Sequence, residues 1–172
     1  MLGHGAAGGI DAVDLLAVRG AALEAGVAVA RVAQPYRVAG KRLPPAPPAL
    51  DEAWLVAVAR CRTWAGAVPL IVGGRSSGAR VACRTARALD ATGVLALAYP
   101  LHPPGRPEAT RAGELDPSVP TLVINGDRDP FGIPEPAGKI EVVVLPGERH
   151  DLNKNPAAVA QAFSEWLEGL LE

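Results

Sequence analysis

The run Gly73-Gly74-Arg75-Ser76-Ser77-Gly78-Ala79-Arg80 constrains this chain more than any other segment. It follows the apolar triplet Leu70-Ile71-Val72 and precedes a stretch of helical spacing over about 77–89. A strand must therefore turn sharply into a helix here. Within the turn, Gly74-Arg75-Ser76-Ser77-Gly78 fits G-x-S-x-G, which puts its serine on a strained strand-to-helix turn. The flanking positions at −2 and +2 must then be small, and Gly74 and Gly78 meet that demand around Ser76. Around Ser77 the same positions hold Arg75 and Ala79, a poorer fit. Ser76 is the candidate nucleophile. The helix that starts here aims N–H groups and its positive dipole end at the same spot, so the Ser77 N–H is an expected oxyanion donor. On the pentapeptide alone, a glycine-rich helix start with Ser76 as its cap stays open.

Short apolar runs alternate with helical stretches along the rest of the chain. A helix is expected over about 11–26, with the apolar residues Val13, Leu16, Ala17 and Leu23 on one face. Residues 27–32 read as a strand and the proline-rich 35–48 as a loop, because proline interrupts helices and sheets. Residues 50–63 read as a helix with Asp51 and Glu52 favouring its first turn. Strands follow at 94–98, 121–124 and 140–145. An amphipathic helix over 156–171 carries Val159, Ala162, Phe163, Trp166 and Leu170 on one face. Continuous apolar strands alternating with helices predict an α/β fold, a three-layer sandwich around a mostly parallel sheet. The 172 residues make one domain, 49% of them hydrophobic, enough for one packed core.

Active sites of such sheets lie beyond the carboxyl ends of the strands. After 121–124 come Asp127 and Asp129, and either could orient a histidine on spacing alone. Of the histidines His4, His102 and His150, only His150 follows the last strand and both aspartates. It is the candidate base. The glycine-rich His4-Gly5-Ala6-Ala7-Gly8-Gly9 lets backbone approach the nucleophile, and the Ala6 N–H is the second candidate oxyanion donor.

The net charge of −1 has no basic stripe, so neither a nucleic-acid partner nor a membrane surface is expected. No apolar run reaches the roughly 20 residues of a membrane span, and residues 1–5 have no signal-peptide character. Cys61 and Cys83 lack zinc-ligand spacing and read as small buried thiols. These features predict a cytoplasmic protein; a Ser76–Asp129–His150 or Ser76–Asp127–His150 set would act on a small-molecule substrate and calls for no metal or organic cofactor.

Five segments together resemble the α/β-hydrolase superfamily: His4-Gly5-Ala6, Gln34-Pro35-Tyr36, Gly73 to Arg80, Tyr99-Pro100-Leu101-His102-Pro103-Pro104-Gly105, and Gly126-Asp127-Arg128-Asp129-Pro130-Phe131-Gly132. The order Ser…Asp…His is that superfamily's order. The Tyr99–Gly105 run is similar to a dienelactone-hydrolase-like branch. That branch also holds a testis-expressed protein and a non-catalytic subunit of a chromatin acetyltransferase complex. The resemblance implies Asp129 rather than Asp127 as the acid, His102 on a pocket-lining loop, and no separate cap domain. Tyr36 and Arg75 join His102 as candidate substrate-binding residues, with Arg75 suited to a carboxylate-bearing substrate.

One departure stands out. In the superfamily two further strands open the sheet, and a third ends at the HG loop, inside the sheet. Here only Met1-Leu2-Gly3 precede His4. The expectation is a sheet without its N-terminal strands, a gap of roughly twice the ~4.8 Å strand spacing, and a natural start upstream of Met1. An unpaired edge would leave a homodimer open. The reading is a serine hydrolase for a small ester, thioester or lactone. The alternative is a non-catalytic binding or scaffold protein on the same fold.

Overall fold

In the computed structural model, which describes residues 1–171, every strand of one six-stranded sheet runs parallel to its neighbours. The strands are β1 (Leu2–Gly3), β2 (Arg31–Val32), β3 (Ile71–Arg75), β4 (Gly93–Leu97), β5 (Thr121–Gly126) and β6 (Ile140–Leu145), in the order β2-β1-β3-β4-β5-β6. The helices are α1 (Val13–Glu24), α2 (Pro35–Val38), α3 (Pro47–Ala65), α4 (Ser77–Thr85) and α5 (Pro156–Leu171). Side chains alternate across the pleat and split the core in two. On β4, Leu95 and Leu97 pack with Leu15 and Val18 of α1 and Phe163 and Leu167 of α5. Val94 and Ala96 pack on the other face, with Trp54 and Val58 of α3 and Val81 and Ala82 of α4. The result is a three-layer α/β sandwich. Among the described residues no helix is long and apolar enough to cross a membrane.

Four expectations need correction. The gap inside the sheet does not open at its upper end. Leu2–Gly3 occupies it as β1, with Leu2 paired to both Arg31 and Gly73 and Gly3 to both Val32 and Gly74. The strand expected at 27–32 shortens to Arg31–Val32. The register runs out there, since Leu2 N–H already donates to Ala30 O at 2.8 Å and no strand pairs with 27–30. Those residues border an apolar groove of about 690 Å³ instead, with Val18, Leu70, Phe163 and Leu167.

The proline-rich stretch also carries helix. Pro47 and Pro48 occupy the first positions of α3, where a missing N–H costs nothing. Asp51 therefore lies beyond the first turn, where it takes a bidentate contact from Arg84 of α4 at 2.6 and 2.8 Å. Finally, α1 buries Asp14, Leu15, Val18, Ala21 and Ala22, leaving Val13, Leu16 and Leu23 exposed. Apolar residues surround this helix, so the pattern did not single out the buried face.

Cys83 is buried in α4, and burial, reinforced by Glu114, pushes its thiol up to about 12. Cys61 is half-buried at the groove. Only a thiolate attacks a disulfide reagent. Titration of the folded protein with an aromatic disulfide at pH 8 is expected to modify Cys61 alone, and Cys83 only after denaturation. Prompt reaction of both would contradict this packing.

Candidate active site

Ser76 stands between the last residue of β3 and the first of α4, with φ 53° and ψ −111°. A non-glycine residue in this region stores roughly 1–3 kcal/mol of strain, which the surrounding structure must hold. The two glycines explain how. A Cβ on Gly74 would strike the carbonyl oxygen of Gly3. One on Gly78 would lie 2.6 Å from that oxygen and 2.8 Å from His4 O. The need for small residues thus comes from the end of β1, which wedges against the elbow and carries the His4-Gly5-Ala6 loop to the serine.

Asp129 leaves the loop after β5 and His150 the loop after β6. His150 Nε2 lies 2.9 Å from Ser76 Oγ, and Nδ1 lies 2.8 Å from Asp129 Oδ2. An ionised Asp129 has no proton to give, so Nδ1–H donates to it and Nε2 accepts from the serine. Asp129 is held by Phe131 N–H, which donates to Oδ1 at 2.9 Å. Its carboxylate is fully shielded from solvent, while His150 is about one-fifth exposed. Asp127, the alternative acid, is exposed and accepts from Gly147 N–H at 2.7 Å, away from His150.

The other expected residues sort by contact. A Cβ placed on Gly5 would lie 3.4 Å from Ser76 Cβ, so the loop bearing Ala6 borders Ser76. Neither Ala6 N–H nor Ser77 N–H makes a backbone hydrogen bond among the described residues, which leaves both donors free. The loop is held from behind. His4 Nε2 accepts from Gln34 N–H at 2.9 Å, and Tyr36 Oη donates to Ala6 O at 3.2 Å. Tyr36 is thereby buried as a support for this loop. His102 packs its ring on Gly132 and its N–H donates to Phe131 O at 2.9 Å, so it braces the acid loop. The guanidinium of Arg75 reaches Asp14 and the carbonyl of His150.

Three contributing residues went unread in the sequence. Phe131 stacks on the His150 ring, centroids 4.1 Å apart. Asn125, fully buried at the end of β5, accepts from Tyr99 N–H and donates to Tyr99 O and Gly132 O, clamping two site loops together. Asp14 is the third. A polar residue ending a buried strand was a readable signal for Asn125; Asp14 had none, since an acid in a helix ordinarily faces water.

Residues 1–163 match the model of a family described as "Alpha/beta hydrolase domain". The chain belongs to the α/β hydrolases. Solved structures agree in fold. A putative hydrolase of the α/β superfamily from Xanthomonas campestris pv. campestris has 20% identity and a TM-score of 0.70, covering 98% of this chain and 96% of that one. XC6422 from Xanthomonas campestris, described as an α/β serine hydrolase without lid, has 17% identity and a TM-score of 0.78 over 98% and 80% of the two chains. Est1E from Butyrivibrio proteoclasticus, solved with ferulic acid bound, has 17% identity and a TM-score of 0.79 over 99% and 88%. No curated protein matches the chain. At these identities the α/β-hydrolase relationship fixes the architecture and leaves the chemistry to the site itself.

Proposed function

We propose that this α/β hydrolase is a serine hydrolase that cleaves a small ester, thioester or lactone. The observation that carries the reading is the unbroken line Ser76 Oγ–His150 Nε2–His150 Nδ1–Asp129 Oδ2, with steps of 2.9 and 2.8 Å. Ser76 Oγ attacks the substrate carbonyl carbon while its proton passes to His150 Nε2. Asp129 stays ionised and stabilises the imidazolium. The oxyanion forms beside the free N–H groups of Ser77 and Ala6. Collapse breaks the bond to the leaving alcohol or thiol, which takes the proton from His150 and departs, leaving an acyl-serine. Water then attacks the acyl carbon, with His150 as base, and the acid is released.

The discriminating experiment is labelling with a fluorophosphonate probe, which reacts with activated serines. The wild type is expected to label stoichiometrically and Ser76→Ala not at all, with circular dichroism establishing that both are folded. A folded wild type that does not label would overturn this reading and leave a non-catalytic role for the fold.

A further inference from the structure

The Arg75 side chain is in contact with three separate segments around Ser76. It ends β3 directly before the nucleophile. Its Nη2 donates to the main-chain oxygen of His150 at 2.8 Å. Among the described residues no other group donates to that oxygen. Its Nη1 lies beside the oxyanion loop, where a Cβ on Gly5 or Gly8 would sit 3.6 or 3.7 Å away. Its Nε lies 2.8 Å from Asp14 Oδ2 of α1. The two opposite charges are therefore in direct contact as an ion pair.

Asp14 has no exposed side-chain surface, whereas the Arg75 side chain is 14% exposed. Burial pushes the Asp14 carboxyl up, and Arg75 pulls in the opposite direction. A buried ion pair is a poor source of stability, because desolvation opposes the attraction, and apolar residues often replace one without loss. Fixing a geometry is a better account of this pair, since Arg75 reaches from α1 to the loop that carries the base.

We infer that Asp14 and Arg75 are positioning residues that hold the main chain of His150, and so its imidazole, against Ser76. The inference rests on the serine-hydrolase reading for its kinetic consequence only. Asp14 neutralises and orients the guanidinium; the guanidinium fixes the histidine loop through one hydrogen bond. Neither touches the substrate.

The test compares wild type, Arg75→Gln, Arg75→Lys, Asp14→Asn and the double variant Asp14→Asn/Arg75→Gln on two esters, p-nitrophenyl acetate and the anionic p-nitrophenyl hemisuccinate. A base displaced by about 1 Å costs roughly 10²-fold in rate. Arg75→Gln and Asp14→Asn are each expected to lower kcat by about that factor on both esters with KM unchanged, and the double variant no further, because the two act as one unit. Arg75→Lys keeps the charge but not the planar fork, and recovers part of the rate while preserving the fold. The far-downfield proton resonance of His150 Nδ1–H provides a readout independent of turnover. It is expected in wild type and Ser76→Ala, and weakened or absent in Arg75→Gln and Asp14→Asn. Resonance behaviour as expected in a protein that fails to label would sink the hydrolase reading and leave the positioning role standing. A folded Arg75→Gln or Arg75→Lys with wild-type kcat and an unchanged resonance would overturn the positioning role. So would a KM that rises for the hemisuccinate alone, since Arg75 would then be meeting the substrate.

Discussion

Ser76→Ala and His150→Ala are each expected to lower kcat/KM on p-nitrophenyl acetate by about 10⁶-fold, and Asp129→Asn by about 10⁴-fold. The ranking follows from the contacts. Without Ser76 there is no atom to acylate, and without His150 nothing takes the proton from a hydroxyl that is a weak nucleophile at neutral pH. Asparagine at 129 can keep the Phe131 N–H contact to Oδ1, now through its carbonyl oxygen. Its amide then faces His150 Nδ1 as a donor, which forces the proton onto Nε2. The histidine points a proton at Ser76 when it needs a lone pair. The residues act in series, so the Ser76→Ala/His150→Ala double variant is expected to be no slower than either single one. Initial rates on purified, folded variants measure all four. A His150→Ala enzyme within tenfold of wild type would remove this histidine from the mechanism.

How far the sequence disclosed the site depended on whether the signal was local. The elbow is a five-residue event, so Gly74 and Gly78 made Ser76 a candidate, and the strand before it and helix after it favoured that reading over a helix cap. Asp129 and His150 sit directly after apolar runs, and their order along the chain supplied the rest. The parallel three-layer architecture was legible for the same reason, since β4, β5 and β6 each contain a continuous apolar run, at 94–97, 122–124 and 142–145. What failed was pairing between segments far apart in sequence. Two residues, Leu2 and Gly3, carry too little pattern to read as a strand. They form one because Arg31–Val32 and Gly73-Gly74 present backbone groups on either side. Nothing local marks Asp14, because its partner Arg75 lies 61 positions downstream. It is buried on α1 while Val13 and Leu16 face out. The charge of Arg75 was legible, and its contacts with Asp14 and the His150 carbonyl were not.

Gly78→Ala and Gly20→Ala are the same chemical change and are expected to move stability in opposite directions. Both glycines lie in helices, α4 and α1, where alanine is intrinsically favoured by about 0.8–1 kcal/mol. At Gly20 a Cβ meets nothing within 4 Å, so that preference is realised in full. At Gly78 the new carbon would sit 2.6 Å from Gly3 O, 2.7 Å from Gly3 C and 2.8 Å from His4 O. These are main-chain atoms that cannot rotate aside. To make room, β1 must back away from β3, and the Gly3–Val32 and Gly3–Gly74 pairings move with it. Overpacking of this kind costs about 3 kcal/mol, well above the helical gain. With about 2–4 °C per kcal/mol for a chain of this length, the net effect is a melting temperature lower by roughly 4–9 °C for Gly78→Ala and higher by roughly 2–4 °C for Gly20→Ala. Activity should separate the two more sharply. Displacing β1 carries His4-Gly5-Ala6 from Ser76, so Gly78→Ala is expected to lose about 10²-fold in kcat from the misplaced oxyanion donor, and Gly20→Ala nothing. Thermal melts and initial rates on both proteins decide the matter. If Gly78→Ala melts with the wild type, the end of β1 cannot be wedged against the elbow, and the Ala6 N–H loses its place beside the nucleophile.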